Sequence, residues 1–198
     1  MDWYRSKRAI VARLDGLVDR LARAGISPDA VTLSAIPIAI AGGLALLFSQ
    51  AVPALLALVP VLIAVRLILN LVDGALARAT GRTHPRGELF NELGDRLADI
   101  AFLVPVAFLT GAQRETVLLG VTGAVLASFV GVTARAAGAP RLYGGILSKP
   151  GRMVLLAGFA VGALVLGPSA WGPFGPILLV GTVLTVIERS AVAIRGLP

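Results

Sequence analysis

Long apolar segments separated by short polar or Gly/Pro-containing breaks run through most of the chain. Six such segments lie at about residues 30–49, 53–78, 89–110, 115–137, 151–167 and 174–194. Each is close to the ~20 residues that an α-helix needs to cross the hydrocarbon core of a bilayer. The breaks carry the glycines, prolines and polar residues that are typical of turns. The pattern therefore predicts six transmembrane helices.

The first segment of the chain has a different pattern. Over residues 3–24, apolar side chains recur at helical spacing with Arg and Lys between them. This predicts an amphipathic helix lying in the membrane interface, with an ordinary solvated helix beside the membrane as the alternative. Its charges are spread along the segment and no small-residue cleavage site follows, so a cleavable signal peptide is not expected. Ser27 followed by Pro28 predicts a capped helix start.

Composition agrees with an all-α integral membrane protein. The 198 residues are 57% hydrophobic and 15% charged, with a mean hydropathy of +0.87, whereas soluble domains carry about 25% charged residues. Cysteine is absent, which excludes disulfides, thiolate metal ligands and a cysteine nucleophile. We expect a single domain over residues 1–198, with the interfacial helix and turn at 1–28 and the six-helix membrane bundle at 30–194.

Positive charge is distributed unevenly between the predicted loops. Most of the 18 Lys and Arg residues lie in the N-terminal segment, after the second and fourth apolar segments, and in the tail, whereas the loops on the opposite side hold only Arg114. Cytoplasmic loops of membrane proteins carry the excess of Lys and Arg. We therefore expect both termini on the cytoplasmic side, which also agrees with an even number of spans.

The second and third segments each carry a stripe of polar side chains near the predicted cytoplasmic end. Asn70 and Asp73 share one helix face, and Asn91, Asp95 and Asp99 recur every four residues on the other helix. Polar residues at membrane depth are costly and usually functional. If the two helices are antiparallel neighbours, the stripes face each other. Opposed oxygen ligands suit Mg²⁺, and two such ions about 4 Å apart can hold a phosphate diester for in-line displacement.

Small residues and one arginine accompany these stripes. Gly74 follows Asp73 directly, and Ala77 lies one turn further on, so a ligand can approach the helix backbone there. Arg78 offers a planar cation that suits phosphate, and Gly87 opens the chain before the second stripe. The pattern predicts a phosphate-bearing substrate beside metal ions.

The spacing of these residues resembles a known family motif. Residues 70–95 read N-x2-D-G-x2-A-R-x8-G-x3-N-x3-D, and the CDP-alcohol phosphotransferase family is marked by D-x2-D-G-x2-A-R-x8-G-x3-D-x3-D. Two of the four motif aspartates are replaced, by Asn70 and Asn91. The Pro28-Asp29-Ala30-Val31-Thr32 turn also looks like the Pro-Asn-x-x-Thr helix start of that family.

The resemblance implies an enzyme of phospholipid biosynthesis in the plasma membrane. Such enzymes transfer a phosphoalcohol group, here a phosphatidyl group, from a CDP-linked lipid donor such as CDP-diacylglycerol to an alcohol or phosphoalcohol, with release of CMP. The active site would face the cytoplasm. A homodimer in contact with membrane lipid is implied, and no nucleic-acid partner is expected.

The resemblance also implies roles for individual residues. Asp95 would act as the general base toward the acceptor hydroxyl, as well as lying next to a metal. The nucleotide site would be lined by Asp73, Gly74, Ala77, Arg78 and Gly87. One or two Mg²⁺ or Mn²⁺ ions would be held by Asp73, Asp95, Asn70 and Asn91. The acceptor phosphate would meet a basic region formed by Arg135, Lys149 and Arg152.

Other interpretations of the same residues remain open. Asn70 and Asn91 keep a carbonyl oxygen but lose a negative charge, so a non-catalytic paralogue that binds nucleotide or lipid is the main alternative, and a small-molecule transporter is a third. The two asparagines could instead form interhelical hydrogen bonds. Asp73, Asp95 and Arg78 could form an ion-pair network, and the basic residues near 149 could simply follow membrane topology. The single histidine, His84, is expected to be a solvated loop residue.

Overall fold

The computed structural model describes residues 14–82, 84–140, 142 and 144–197. Of the predicted interfacial helix, residues 14–23 are helical and residues 3–13 lie outside the described part of the chain. Six long helices follow, and no strand occurs among the described residues. They are α1 (Pro28–Phe48), α2 (Leu58–Ala79), α3 (Pro85–Leu103), α4 (Arg114–Ala136), α5 (Lys149–Leu166) and α6 (Phe174–Arg195). Each predicted apolar segment therefore corresponds to one helix.

Five of these helices are long and apolar enough to cross a membrane. Short 3₁₀ turns at Pro53–Ala57 and Pro168–Trp171 extend two of them, so that the spans over the described residues are Pro28–Phe48, Pro53–Ala79, Arg114–Ala136, Lys149–Leu166 and Pro168–Arg195. Helix α3 is not among them because it contains six charged residues, including Asp95 and Asp99. The chain is thus an all-helical integral membrane protein with five helices of spanning character.

Local sequence signals determine where the helices begin. The hydroxyl of Ser27 accepts a hydrogen bond from the Ala30 amide at 3.1 Å, with Pro28 in the first turn, as the sequence predicts. Helix α3 begins at Pro85, four residues before the predicted start at 89. The reason is a second cap, since His84 Nδ1 accepts a hydrogen bond from the Gly87 amide at 2.9 Å.

Glycines allow two pairs of helices to approach closely. A Cβ atom at Gly42 of α1 would lie 2.1 Å from Phe102 Cε1 of α3, and one at Gly120 of α4 would lie 2.8 Å from Leu178 Cγ of α6. Small residues at such contacts are how membrane helices gain dispersion energy in the absence of a hydrophobic driving force. Helix α1 therefore packs tightly on α3, and α4 packs tightly on α6.

Helices α2 and α3 do not pack extensively on each other, although Asp73 of one polar stripe and Asn91 of the other line the same cavity. Each packs instead against α1. The physical reason is that the polar stripes of α2 and α3 face a space that apolar side chains do not fill, and only long side chains such as Arg66 cross it to reach Asp95. This separation opens the candidate site.

Candidate nucleotide and metal site

A cavity of about 490 Å³ opens between the start of α1, the end of α2 and the start of α3. This volume is within the range of small-ligand pockets. All five residues predicted for the nucleotide line it, namely Asp73, Gly74, Ala77, Arg78 and Gly87. Asn91 also lines the cavity, whereas Asn70 and Asp95 do not. The structure thus brings the nucleotide half of the motif together and leaves Asp95 outside its walls.

Asp73 is held by a residue of α1. Its carboxylate is 7% exposed, and Oδ2 accepts a hydrogen bond from the Thr32 hydroxyl at 2.8 Å. Its other oxygen, Oδ1, accepts from the Gly74 amide. Thr32 belongs to the Pro28-to-Thr32 turn that the sequence singled out, although no contact with Asp73 could be predicted from it. The hydrogen bonds fix the direction in which this carboxylate points before any ligand binds.

A contact between the starts of α1 and α3 closes one side of the cavity, and sequence reasoning missed it. His84 Nε2 lies 3.5 Å from Asp29 Oδ2 while Nδ1 caps α3, so His84, although 42% exposed and hence solvated as expected, also makes two structural contacts. A Cβ atom at Gly87 would lie 3.0 Å from Asp29 Oδ1 and 3.3 Å from His84 Cε1. A side chain at position 87 would therefore make tight contacts with both of these side chains.

Asp95 forms an ion-pair cluster with one residue of α2 and one of α5. Arg66 Nη2 lies 3.0 Å from Asp95 Oδ1, and Lys149 Nζ contacts the same oxygen. The side chains of Asp95 and Lys149 are 15% and 16% exposed, while Arg66 is only 1% exposed. Arg66 lies one turn before Asn70 in the sequence, but that spacing alone does not predict its contact with Asp95.

The three predicted acceptor-phosphate residues each contact an acidic side chain of α3. Arg135 pairs with Glu88 and Lys149 pairs with Asp95. Arg152 is buried, with Nη2 2.6 Å from Asp99 Oδ2 and Nη1 donating to the Leu147 carbonyl at 3.1 Å. These pairs hold the charged face of α3 against α4 and α5. Of the three cations, the Arg135 side chain is the most exposed, at 50%.

The donor atoms in the cavity suit one divalent cation better than two. Asn91 Oδ1 is buried without a hydrogen-bond partner, and it lines the same cavity as the Asp73 carboxylate. An amide oxygen without a partner and a carboxylate in the same cavity wall are hard oxygen ligands of the kind that Mg²⁺ takes. By contrast, two cationic groups already contact Asp95. Within the described ranges no group of three or more His, Cys, Asp or Glu residues is arranged to hold a metal.

The sequence of the chain is similar to those of several known membrane proteins and lipid synthases. No family model matches the chain. It is 33% identical to the inner membrane protein YnbA of Escherichia coli over 69% of this chain and 68% of that protein. It is 29% identical to the phosphatidylinositol phosphate synthase of Mycolicibacterium smegmatis over 94% of this chain and 86% of that protein. It is 27% identical to the archaetidylinositol phosphate synthase of Pyrococcus horikoshii over 72% of this chain and 73% of that protein.

The fold is that of solved phosphatidylinositol phosphate synthases from Mycobacterium tuberculosis. The superposition on the structure with CDP-DAG bound has a TM-score of 0.76 at 22% sequence identity. It covers 90% of this chain and 92% of the chain in that structure. The complex with manganese and citrate gives a TM-score of 0.73 at 23% identity, covering 90% of this chain and 87% of its own.

Fold and site together define a multi-pass plasma-membrane transferase. The chain belongs to the CDP-alcohol phosphotransferase family, as its motif indicated. The predicted enzyme class, which transfers a phosphoalcohol group from a CDP-linked donor to an alcohol with release of CMP, is confirmed.

Proposed function

We propose that this enzyme transfers a phosphatidyl group from CDP-diacylglycerol to a small alcohol or phosphoalcohol in phospholipid synthesis. The observation that carries the proposal is the convergence of Asp73, Gly74, Ala77, Arg78 and Gly87 on one cavity. Relatives named archaetidylinositol phosphate synthase and phosphatidylinositol phosphate synthase, and a fold neighbour with CDP-DAG bound, support the choice of donor and of a phosphorylated acceptor.

Each motif residue then has a defined task. Gly74 and Ala77 leave room for the diphosphate along α2, and the exposed Arg78 at the rim pairs with it. Asp73 holds one Mg²⁺ or Mn²⁺ with the oxygen of Asn91, while Asn70 lies one turn before Asp73. The bound cation supplies charge neutralisation to the diphosphate. Asp95 accepts the proton of the acceptor hydroxyl.

The acceptor's phosphate is proposed to meet the basic residues of α4 and α5. Arg135 is well exposed, and Lys149 lies beside Asp95, so both can exchange their carboxylate partners for a phosphate. Arg152 is buried against Asp99 and contributes positive charge while holding α5 in position. Binding of the acceptor's phosphate at this position would bring the reacting hydroxyl of the same acceptor molecule toward Asp95.

We propose that α3 is the sixth span of the single membrane domain. Its apolar face is exposed at Leu89, Leu93, Leu97 and Ile100, while its charged face lies toward the other helices. A helix with this arrangement can cross the bilayer because its charges are paired inside the bundle. The N-terminal amphipathic helix, both termini and the site lie at the cytoplasmic face in this proposal, and two chains associate as a homodimer.

The direct test is to incubate the purified protein in lipid with CDP-diacylglycerol and a panel of alcohols and phosphoalcohols while measuring CMP release. Release that depends on one acceptor and on Mg²⁺ or Mn²⁺ is the expected result. Binding of the CDP-lipid without CMP release would select the non-catalytic paralogue, which the two asparagines favour. Failure to bind the CDP-lipid at all would overturn both the proposed enzyme and the non-catalytic paralogue.

Gly74→Ala tests whether the cavity holds the donor. The added Cβ would lie 3.4 Å from Arg78 Nη1 and would meet no other side chain within 4 Å, so the fold accommodates it and only cavity space is lost. We expect the donor KM to rise about tenfold, equivalent to ~1.4 kcal/mol, with unchanged thermal stability. Gly158→Ala on the exposed side of α5 is the matched control and leaves KM unchanged. An unchanged KM in Gly74→Ala would remove the donor from this wall.

Restoring both aspartates tests the metal ligands. Asn70→Asp with Asn91→Asp adds two negative charges to the motif, and carboxylates bind Mg²⁺ and Mn²⁺ more strongly than amides do. We expect Mn²⁺ affinity, measured by titration in the presence of CDP, to increase about tenfold or more, which is at least ~1.4 kcal/mol. Unchanged affinity would show that neither position is a ligand.

A further inference from the structure

Arg66 is a buried cation that the family motif does not explain. It is 1% exposed, and its Nη2 atom pairs with Asp95. Its Nε and Nη1 atoms are buried without a hydrogen-bond partner. Leaving buried charged donors unmatched is costly, so their presence needs a reason. The Nε–H bond and the two N–H bonds of Nη1 are therefore donors without an acceptor.

The position of Arg66 coincides with a change in the charge of the motif. Arg66 precedes Asn70 by four residues on α2, so the two lie on one helix face. At position 70 the family motif has an aspartate. This chain therefore lacks a negative charge and carries a positive one at neighbouring positions. The guanidinium contacts Asp95, the last acidic residue of the motif.

We propose that Arg66 takes the place of a second divalent cation, so that the site binds a single ion on the side of Asp73 and Asn91. Arginine is always charged, so Arg66 can neutralise Asp95 permanently, as a bound cation next to that carboxylate would. A second divalent ion next to Asp95 is excluded by electrostatic repulsion from Arg66. Lys149, on the same Asp95 oxygen, adds to that repulsion.

The inference rests on the proposed function for the identity of the first ion, but it is tested without turnover. The protein in lipid nanodiscs is titrated with Mn²⁺ in the presence of CDP, and bound metal is counted by electron paramagnetic resonance. The expected result is one Mn²⁺ per chain with the spectrum of an isolated ion. A spin-coupled pair, as two ions about 4 Å apart would produce, or no bound ion at all, would overturn the proposal.

Two variants matched at position 66 show whether Arg66 is the cause. In the background of Asn70→Asp with Asn91→Asp, Arg66→Met removes the positive charge and Arg66→Lys keeps it. We expect a second, spin-coupled Mn²⁺ in the Met variant and one ion in the Lys variant. One ion in both, or two in both, would mean that Arg66 does not determine the metal count. If the Met variant does not fold, Arg66→Gln in the same background removes the charge with a polar side chain, and its ion count against that of the Lys variant decides the question.

The same preparations separate failure of this proposal from failure of the proposed function. CMP release from CDP-diacylglycerol tests the function, and the Mn²⁺ count tests Arg66. Turnover with two coupled ions would keep the function and overturn the role of Arg66. A single ion without CMP release with any acceptor would keep the role of Arg66 and overturn the function.

Discussion

Asp95→Asn is expected to lower kcat by a factor of about 10² to 10⁴, the usual contribution of a general base. The amide cannot accept the proton of the acceptor hydroxyl, although its carbonyl oxygen can still accept a hydrogen bond from Arg66, now 3.0 Å from the carboxylate. Asp95 is not in the wall of the nucleotide cavity, so donor affinity should change little. Measurement of CMP release beside CDP-lipid binding separates the two effects.

Asp99→Asn is the matched control for this substitution. Asp99 lies one turn further along α3 and pairs with the buried Arg152, with 2.6 Å between Oδ2 and Nη2. Both variants remove a carboxylate from a buried ion pair, so both are expected to lose stability, by about 3–5 kcal/mol at most. Only Asp95→Asn should lose turnover per folded molecule. Equal losses of turnover in both would remove Asp95 from the base role.

Asp73→Asn is expected to abolish metal-dependent binding of the nucleotide and to reduce turnover at least 10²-fold, a loss of about 2.7 kcal/mol or more in transition-state stabilisation. Asp73 is the only motif carboxylate in the cavity wall, where the other acidic residues are Asp29 and Glu88. Its loss therefore leaves the proposed ion with amide oxygens, which Mg²⁺ and Mn²⁺ bind weakly. Mn²⁺ titration with and without CDP measures the effect.

Thr32→Val isolates the part of this effect that comes from positioning. The substitution removes the hydroxyl that donates to Asp73 Oδ2 at 2.8 Å but leaves the carboxylate in place. We expect the free energy of Mn²⁺ binding in the presence of CDP to weaken by about 1 kcal/mol, the net value of one hydrogen bond. If Thr32→Val were as damaging as Asp73→Asn, the carboxylate would act through its orientation alone. If Asp73→Asn left Mn²⁺ binding intact, Asp73 would not be a ligand.

The convergence of the proposed nucleotide residues on one cavity could be predicted because it depends on short-range spacing. Asp73, Gly74, Ala77 and Arg78 lie within two turns of one helix, so helical periodicity alone brings them to one region. Gly87 joins them through a short loop. The cap at Ser27 could be predicted for the same reason, since a cap is a contact over three residues. Such local relationships follow from backbone geometry.

The partners of the charged residues could not be predicted in this way. Arg66 and Asp95 are 29 residues apart, and Arg152 and Asp99 are 53 apart. Helical periodicity states which face of a helix a residue occupies, but not which helix that face meets. For this reason the sequence could not show that α1 packs against both α2 and α3.

By itself the sequence determined the class of protein, the number of helices and the spacing of the motif. These follow from apolar length, helical period and the cost of placing polar groups in lipid. Only the tertiary structure decided how the motif charges are shared. It separated Asp73, which faces the cavity beside an orphaned Asn91 oxygen, from Asp95, which two cations contact. That separation depends on which helices pack together, because only packing brings charges from distant parts of the chain into contact.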